Sequence, residues 1–165
     1  LERHCTHCVS TRSDEGRLPD GTTSRVSLKL ASILASVDQV EETALEYANS
    51  AGFDADTACN LAMVAREAAA NAVIHGNRYN PALQVSATFE ISPDALTIRV
   101  ADSGPGLDPA QIPDPLAPQN LLRSSGRGVF LMRAFMDEVH FRKSQPGAQN
   151  PGTEVTLVKR RTRPA

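Results

Sequence analysis

The sequence predicts an α+β fold: a two-layer sandwich of segregated helices on a largely antiparallel sheet. Three observations predict it. Two stretches in the first half of the chain carry small apolar residues at helical spacing, and a later pair of stretches alternates with a period of two. Neither a GxxxxGK[ST] loop nor a strand–GxGxxG–helix unit occurs, which argues against the parallel nucleotide-binding folds.

The elements follow in order. Residues 1–22 mix Gly, Pro, Ser and charges and are expected to be a flexible polar leader. In RVSLKLA (25–31), Val26, Leu28 and Leu30 share one face of a strand. Over 37–51, Val40, Ala44, Ala48 and Ala51 mark a helix that Gly52 ends. A second helix is expected over 54–77, capped by Asp54 or Asp56 and stopped by Gly76-Asn77. LQVSATFEI (83–91) and LTIRVAD (96–102), joined at Ser92-Pro93-Asp94, read as a hairpin with Leu96, Ile98 and Val100 inward. Residues 103–127 are rich in Gly, Pro and Ser, with four prolines from Pro109 to Pro118, and a loop of that length is usually functional or disordered. A helix near 128–136 and strands near 138–143 and 153–159 complete a domain over 23–161, and 162–165 form a tail. The basic run KRRTRP (159–164) reads as a solvated end.

The totals restrict function. A chain of 165 residues suggests one domain, and 41% hydrophobic residues suffice for a core, which must be mostly aliphatic because Trp is absent. A net charge of −2 gives no reason to expect binding to nucleic acid or membrane. No apolar run approaches a membrane span, and LERHCTHC has no signal-peptide core, so a cytoplasmic setting is expected. Three cysteines, Cys5, Cys8 and Cys59, argue against a disulfide framework. His4, Cys5, His7 and Cys8 offer four soft ligands, but no second pair completes a zinc site. The favoured reading is a leader that happens to hold them; a metal or redox role stays open.

Three stretches carry chemistry. In AREAAANAVIHGN (65–77), Glu67, Asn71 and His75 recur every four residues, roughly along one helix face. The alanines around them let the helix pack closely on a sheet. In DSGPGLD (102–108), Asp102 ends a strand, where a carboxylate can accept a hydrogen bond from an exocyclic amine, and Gly104 and Gly106 allow close approach of a ligand. In SSGRGVFLM (124–132), Gly126 and Gly128 open a helix whose free amides favour an anion. Each stretch alone has a bland reading: a solvated stripe, a charged turn, a flexible helix entry.

In this order and spacing, the three stretches resemble the N, G1 and G2 boxes of the GHKL ATP-binding superfamily, over roughly 25–160. That group includes gyrase, MutL and the histidine kinases. EAAANAVIHGN, RGVFLMRAFMDEVHF (127–141) and PGTEVTL (151–157) are most similar to bacterial anti-sigma-factor serine/threonine kinases. The resemblance implies the Bergerat fold, a mixed, mostly antiparallel sheet with helices on one face. It implies ATP and Mg²⁺ as cofactors, with Asn71 as metal ligand and Glu67 as general base. Asp102 would read the adenine amine, Gly104 and Gly106 would lie beneath the base, Gly126 and Gly128 at the phosphates, and Thr153 near the adenine pocket. Residues 109–125 would be the ATP lid.

One position departs from the pattern. Relatives often carry Arg two residues before the first G2 glycine; here that residue is Ser124, with Arg123 one step earlier and Arg127 between the glycines. Arg123 is the first choice for a catalytic cation at the γ-phosphate. His75 is expected to brace the helix end rather than act in catalysis. The implied partners are a STAS-domain anti-anti-sigma protein, a sigma factor and a second copy of the chain as a homodimer. Two alternatives remain: an ATP-binding partner-switch module without kinase activity, and the catalytic ATPase domain of a histidine kinase.

Overall fold

A computed structural model describes residues 11–15, 23–106 and 124–161, with 11–15 and 124–126 described by backbone alone. The HCTHC run, Arg123, nearly all of the expected lid and the tail 162–165 lie outside the described residues.

Six strands form one sheet: β1 (Thr11–Glu15), β2 (Ser24–Ala31), β3 (Gln84–Ile91), β4 (Ala95–Ala101), β5 (Glu138–Lys143) and β6 (Thr153–Arg160). Their order is β1-β2-β3-β4-β6-β5, and every pairing is antiparallel. The helices are α1 (Leu34–Ser50), α2 (Ala55–Asn71) and α3 (Ser124–Phe135).

The period-two pattern sets the sheet's two faces. Val26, Leu28 and Leu30 of β2, Val85, Ala87 and Phe89 of β3, Leu96, Ile98 and Val100 of β4, and Val155 and Leu157 of β6 are buried in one core with the inward residues of α1 and α2 and with Met132 of α3. Their alternate neighbours make the opposite face polar, with ion pairs between Arg99 and Glu90 and between Arg142 and Glu154. Phe89 is fully buried, and its ring lies 5.8 Å from that of Tyr47. Removing such a ring typically costs about 3–5 kcal/mol.

Alanines govern the helix layer. Ala44 and Ala48 of α1 and Ala58, Ala62, Ala65, Ala68 and Ala69 of α2 are all buried. Short side chains let these helices lie close to each other and to the sheet. Gly52, with φ +84°, ends α1 in the left-handed conformation that glycine adopts without strain. Asp54, not Asp56, is the N-cap of α2, accepting hydrogen bonds from the Thr57 amide at 2.9 Å and hydroxyl at 2.7 Å.

The run at 159–161 is not a solvated end, since Lys159 and Arg160 belong to β6 and Arg161 donates to Ala51 O and Ser92 O. Two further expectations need correction. Part of the supposed leader is the edge strand β1, in register with β2 from Thr11↔Lys29 to Glu15↔Arg25. TRSDE shows no apolar alternation because an edge strand can be held by backbone pairing. The second helix is not α-helical to residue 77: Ala72–Gly76 form a π turn, closed by the Asn77 amide on Ala72 O at 2.8 Å.

Candidate nucleotide site

The π turn divides the polar stripe Glu67, Asn71 and His75 at the end of α2. Glu67 and Asn71 are half-buried in the α part, whereas His75, in the wider turn, is exposed. Opposite the first two lies α3. A methyl group on Gly128 would stand 3.1 Å from Glu67 Oε2 and 3.2 Å from Asn71 Nδ2. The absence of a side chain at 128 therefore keeps the carboxylate and carboxamide open toward the start of α3. Gly126 occupies the first turn of that helix, and Arg127 is exposed beside it.

The far side of the π turn meets the end of β4. A side chain on Gly76 would run into the carboxyl group of Asp102, and one on Gly104 would run into the Gly76 carbonyl. Asp102 is buried. Its Oδ1 accepts from the Gly104 amide at 2.9 Å and the Thr153 amide at 3.2 Å. Its Oδ2 takes no hydrogen bond among the described residues. Burial raises the Asp102 carboxyl above its ordinary value, and the two amides only partly oppose this. A carboxylate oxygen not used by these amides suits an amine brought by a ligand. Gly106 (φ +85°) turns the loop against Pro151, and Gly152 (φ +61°) lies on the Asp102 carbonyl, its amide bonded to Gly104 O at 2.9 Å.

Thus Glu67, Asn71 and Gly128 form one group, and Asp102, Gly104, Gly106 and Thr153 another. One helix end joins them: Asn71 and Gly76 are five residues apart, roughly 7 Å at ~1.5 Å per residue. The sequence reading missed Gly76 and Gly152 as parts of the site. HGN and PGT offered glycines at both places, but nothing local showed that each faces Asp102. Among the described residues no cluster of three or more His, Cys, Asp and Glu could hold a metal. Mg²⁺ bound partly through phosphates needs few protein ligands, and the Asn71 carbonyl oxygen is of the hard type it prefers. No described helix is long and apolar enough to cross a membrane.

An antiparallel sheet under paired helices, with an acid and an amide facing a glycine-opened helix, is the arrangement that the resemblance to ATP-binding domains implies. Comparison with known proteins agrees. The family model for the histidine kinase-like ATPase domain matches residues 30–159. The serine-protein kinase RsbW of Oceanobacillus iheyensis is 34% identical over 98 residues, 56% of this chain and 62% of that protein. The match therefore spans less than two thirds of that kinase. The anti-sigma F factor of Anoxybacillus flavithermus is 31% identical over 110 residues, 66% of this chain and 73% of that protein. A solved structure, the mycobacterial sensor histidine kinase MprB, shares the fold with a TM-score of 0.53 at 17% identity, covering 77% of this chain and 95% of that one. The chain belongs to the histidine kinase-like ATPase domain family. Its similarity to curated relatives named as a serine-protein kinase and an anti-sigma factor supports the anti-sigma kinase group within that family.

Proposed function

We propose that the chain is an ATP-dependent serine/threonine protein kinase and anti-sigma factor. It transfers the γ-phosphate of ATP to a Ser or Thr of a STAS-type anti-anti-sigma protein, holds a sigma factor, and acts in the cytoplasm as a homodimer. The observation that carries this reading is the placement of Glu67 and Asn71, one helical turn apart, against the side-chain-free Gly128.

Mg-ATP would supply the phosphoryl group and the ion that offsets its charge. In this reading Asp102 Oδ2 accepts a hydrogen bond from the adenine amine, while Gly104 and Gly106 leave room beneath the base. The Asn71 carbonyl oxygen is the protein's metal ligand, and Gly126 and Gly128 let the start of α3 approach the phosphates. Glu67 takes the proton of the attacking hydroxyl as its oxygen bonds to the γ-phosphorus and the bond to the ADP oxygen breaks. Arg123 supplies the cation at the γ-phosphate, with Thr153 holding the base-side carboxylate through its amide.

Intact-mass spectrometry tests the proposal. The chain is mixed with Mg-ATP and each STAS-domain protein of its own genome. A gain of one phosphate on a STAS serine or threonine, lost with Glu67→Ala, is expected. No gain despite measured ATP binding would favour a second reading: an ATP-binding partner switch without transfer. The displacement of the lid arginine from 124 to 123 is the observation that favours it.

A further inference from the structure

We propose that Asn77 is a positioning residue that locks the base-reading loop to the end of the helix carrying Glu67 and Asn71. The inference rests on the nucleotide site proposed above and adds to it a residue outside the matched boxes' assigned positions.

Asn77 is 2% exposed, and each of its polar groups is used. Its backbone amide closes the π turn on Ala72 O at 2.8 Å. Its side-chain Oδ1 accepts from the Ser103 amide at 3.0 Å, and its Nδ2 donates to Gln84 O at 3.0 Å. The reverse orientation of the carboxamide would set donor against donor at Ser103 and acceptor against acceptor at Gln84, so the arrangement is fixed. Ser103 directly follows Asp102, and its hydroxyl also reaches Gln84 O at 3.3 Å. One side chain therefore ties three segments: the helix end, the first residue of β3 and the loop leaving β4.

The tie acts where the backbones leave no slack. Gly76 lies on the Asp102 carboxyl, and Gly104 lies on the Gly76 carbonyl. The two following residues, Arg78 and Tyr79, take φ of 51° and 58°, a conformation unfavourable for such side chains. The Tyr79 amide bonds back to Val73 O at 2.9 Å, so the chain accepts this strain while wrapping the helix end. A serine at 77 is too short to reach both partners, and a leucine would leave the Ser103 amide without its acceptor. With the tie in place, the carboxylate that meets the base and the pair that meets the phosphates keep one spacing. Without it, the loop 102–106 can shift relative to α2 while the phosphate end stays intact.

The test compares ATP with inosine triphosphate, which carries the same phosphates but an oxo group in place of the amine. Affinities are measured by calorimetry for the wild-type chain and Asn77→Ala, with folding checked by thermal melting. The expected result is a roughly tenfold loss for Mg-ATP with inosine triphosphate within about twofold of wild type, so the preference for ATP collapses. Equal losses for both nucleotides, or no loss, would overturn the inference while leaving the nucleotide site standing. A wild-type chain that binds neither nucleotide would overturn the proposed function and this inference with it. A second measurement needs no variant: amide exchange of the wild-type chain with saturating adenosine, which reaches only the base end. The Ser103 and Asn77 amides are expected to slow together; slowing at Ser103 with Asn77 unchanged would refute the coupling.

Discussion

Gly128→Ala separates the needs of the helix from the needs of the site. Gly128 is the fifth residue of α3, and replacing a glycine in a helix by alanine typically gains about 1 kcal/mol. The new methyl would stand 3.1 Å from Glu67 Oε2 and 3.2 Å from Asn71 Nδ2, closer than ordinary contact by a few tenths of an ångström. Both atoms are the free ends of side chains, so they can move aside at little cost. For a domain of this size, 1 kcal/mol corresponds to roughly 2–4 °C in Tm, and a rise of about 2 °C remains after the crowding. Function should move the other way. Misplacing a reacting group by about 1 Å can cost on the order of a hundredfold, so a shift of about half that should slow transfer roughly tenfold. Differential scanning fluorimetry reads the first effect, and initial rates of phosphate transfer with Mg-ATP affinity read the second. A Tm drop beyond about 5 °C would show that Gly128 faces rigid packing rather than two movable ends. An unchanged rate and affinity would show that the space over Glu67 and Asn71 is not where the nucleotide binds.

Two further predictions concern the base end, and a third a brace at the opposite end of β4. Gly76→Ala forces a methyl into the Asp102 carboxyl, which is expected to cost about 1–3 kcal/mol and abolish ATP binding, read by urea unfolding and calorimetry; wild-type stability would contradict that contact. Because burial raises the Asp102 carboxyl, the folded chain keeps that proton after the unfolded chain has lost it. Its contribution is full below the unfolded value and is lost as pH rises through the folded one. Asp102→Asn should therefore gain stability relative to wild type across that rise while losing ATP, and a pH-independent difference in unfolding free energy would refute the assignment. Arg161 donates from Nε to Ala51 O and from Nη1 to Ser92 O, both at 2.9 Å, joining the end of α1 to the β3–β4 turn. Arg161→Ala should cost roughly 2–3 kcal/mol with nucleotide affinity unchanged, and a selective loss of affinity would give it a role in the site.

Legibility followed the physics that is local. The inward faces of β2, β3 and β4 could be read from alternation because one buried face imposes a period of two on any strand. The alanine-rich helices were equally plain, since close packing needs small residues at helical spacing. The strand TRSDE was not, because backbone pairing at an edge leaves no mark on side-chain choice. The π turn was missed because AVIHG has the same apolar pattern as an α-helix, and its wider hydrogen bond is fixed by where Asn77 is anchored. Asp102 could be picked out at the end of a strand beside glycines. That Gly76 and Gly152 close around it could not, since these contacts join residues distant in sequence. Glu67 and Asn71 stood one turn apart on any reading, but only the placement of α3 brings Gly128 opposite them.

The strand order has a consequence for how the chain is made. β6 is inserted between β4 and β5, although it is synthesised after both. During translation, the inner edge of β4 stays unpaired until residues 153–160 have emerged. The same late segment brings the Thr153 amide to Asp102 and the Gly152 amide to Gly104. A nascent chain that already carries every residue up to Gly128 thus lacks the segment that holds the Asp102 carboxylate. If the proposed nucleotide site is right, a chain cut before residue 152 should fail to hold ATP even though Glu67, Asn71 and Asp102 are all present.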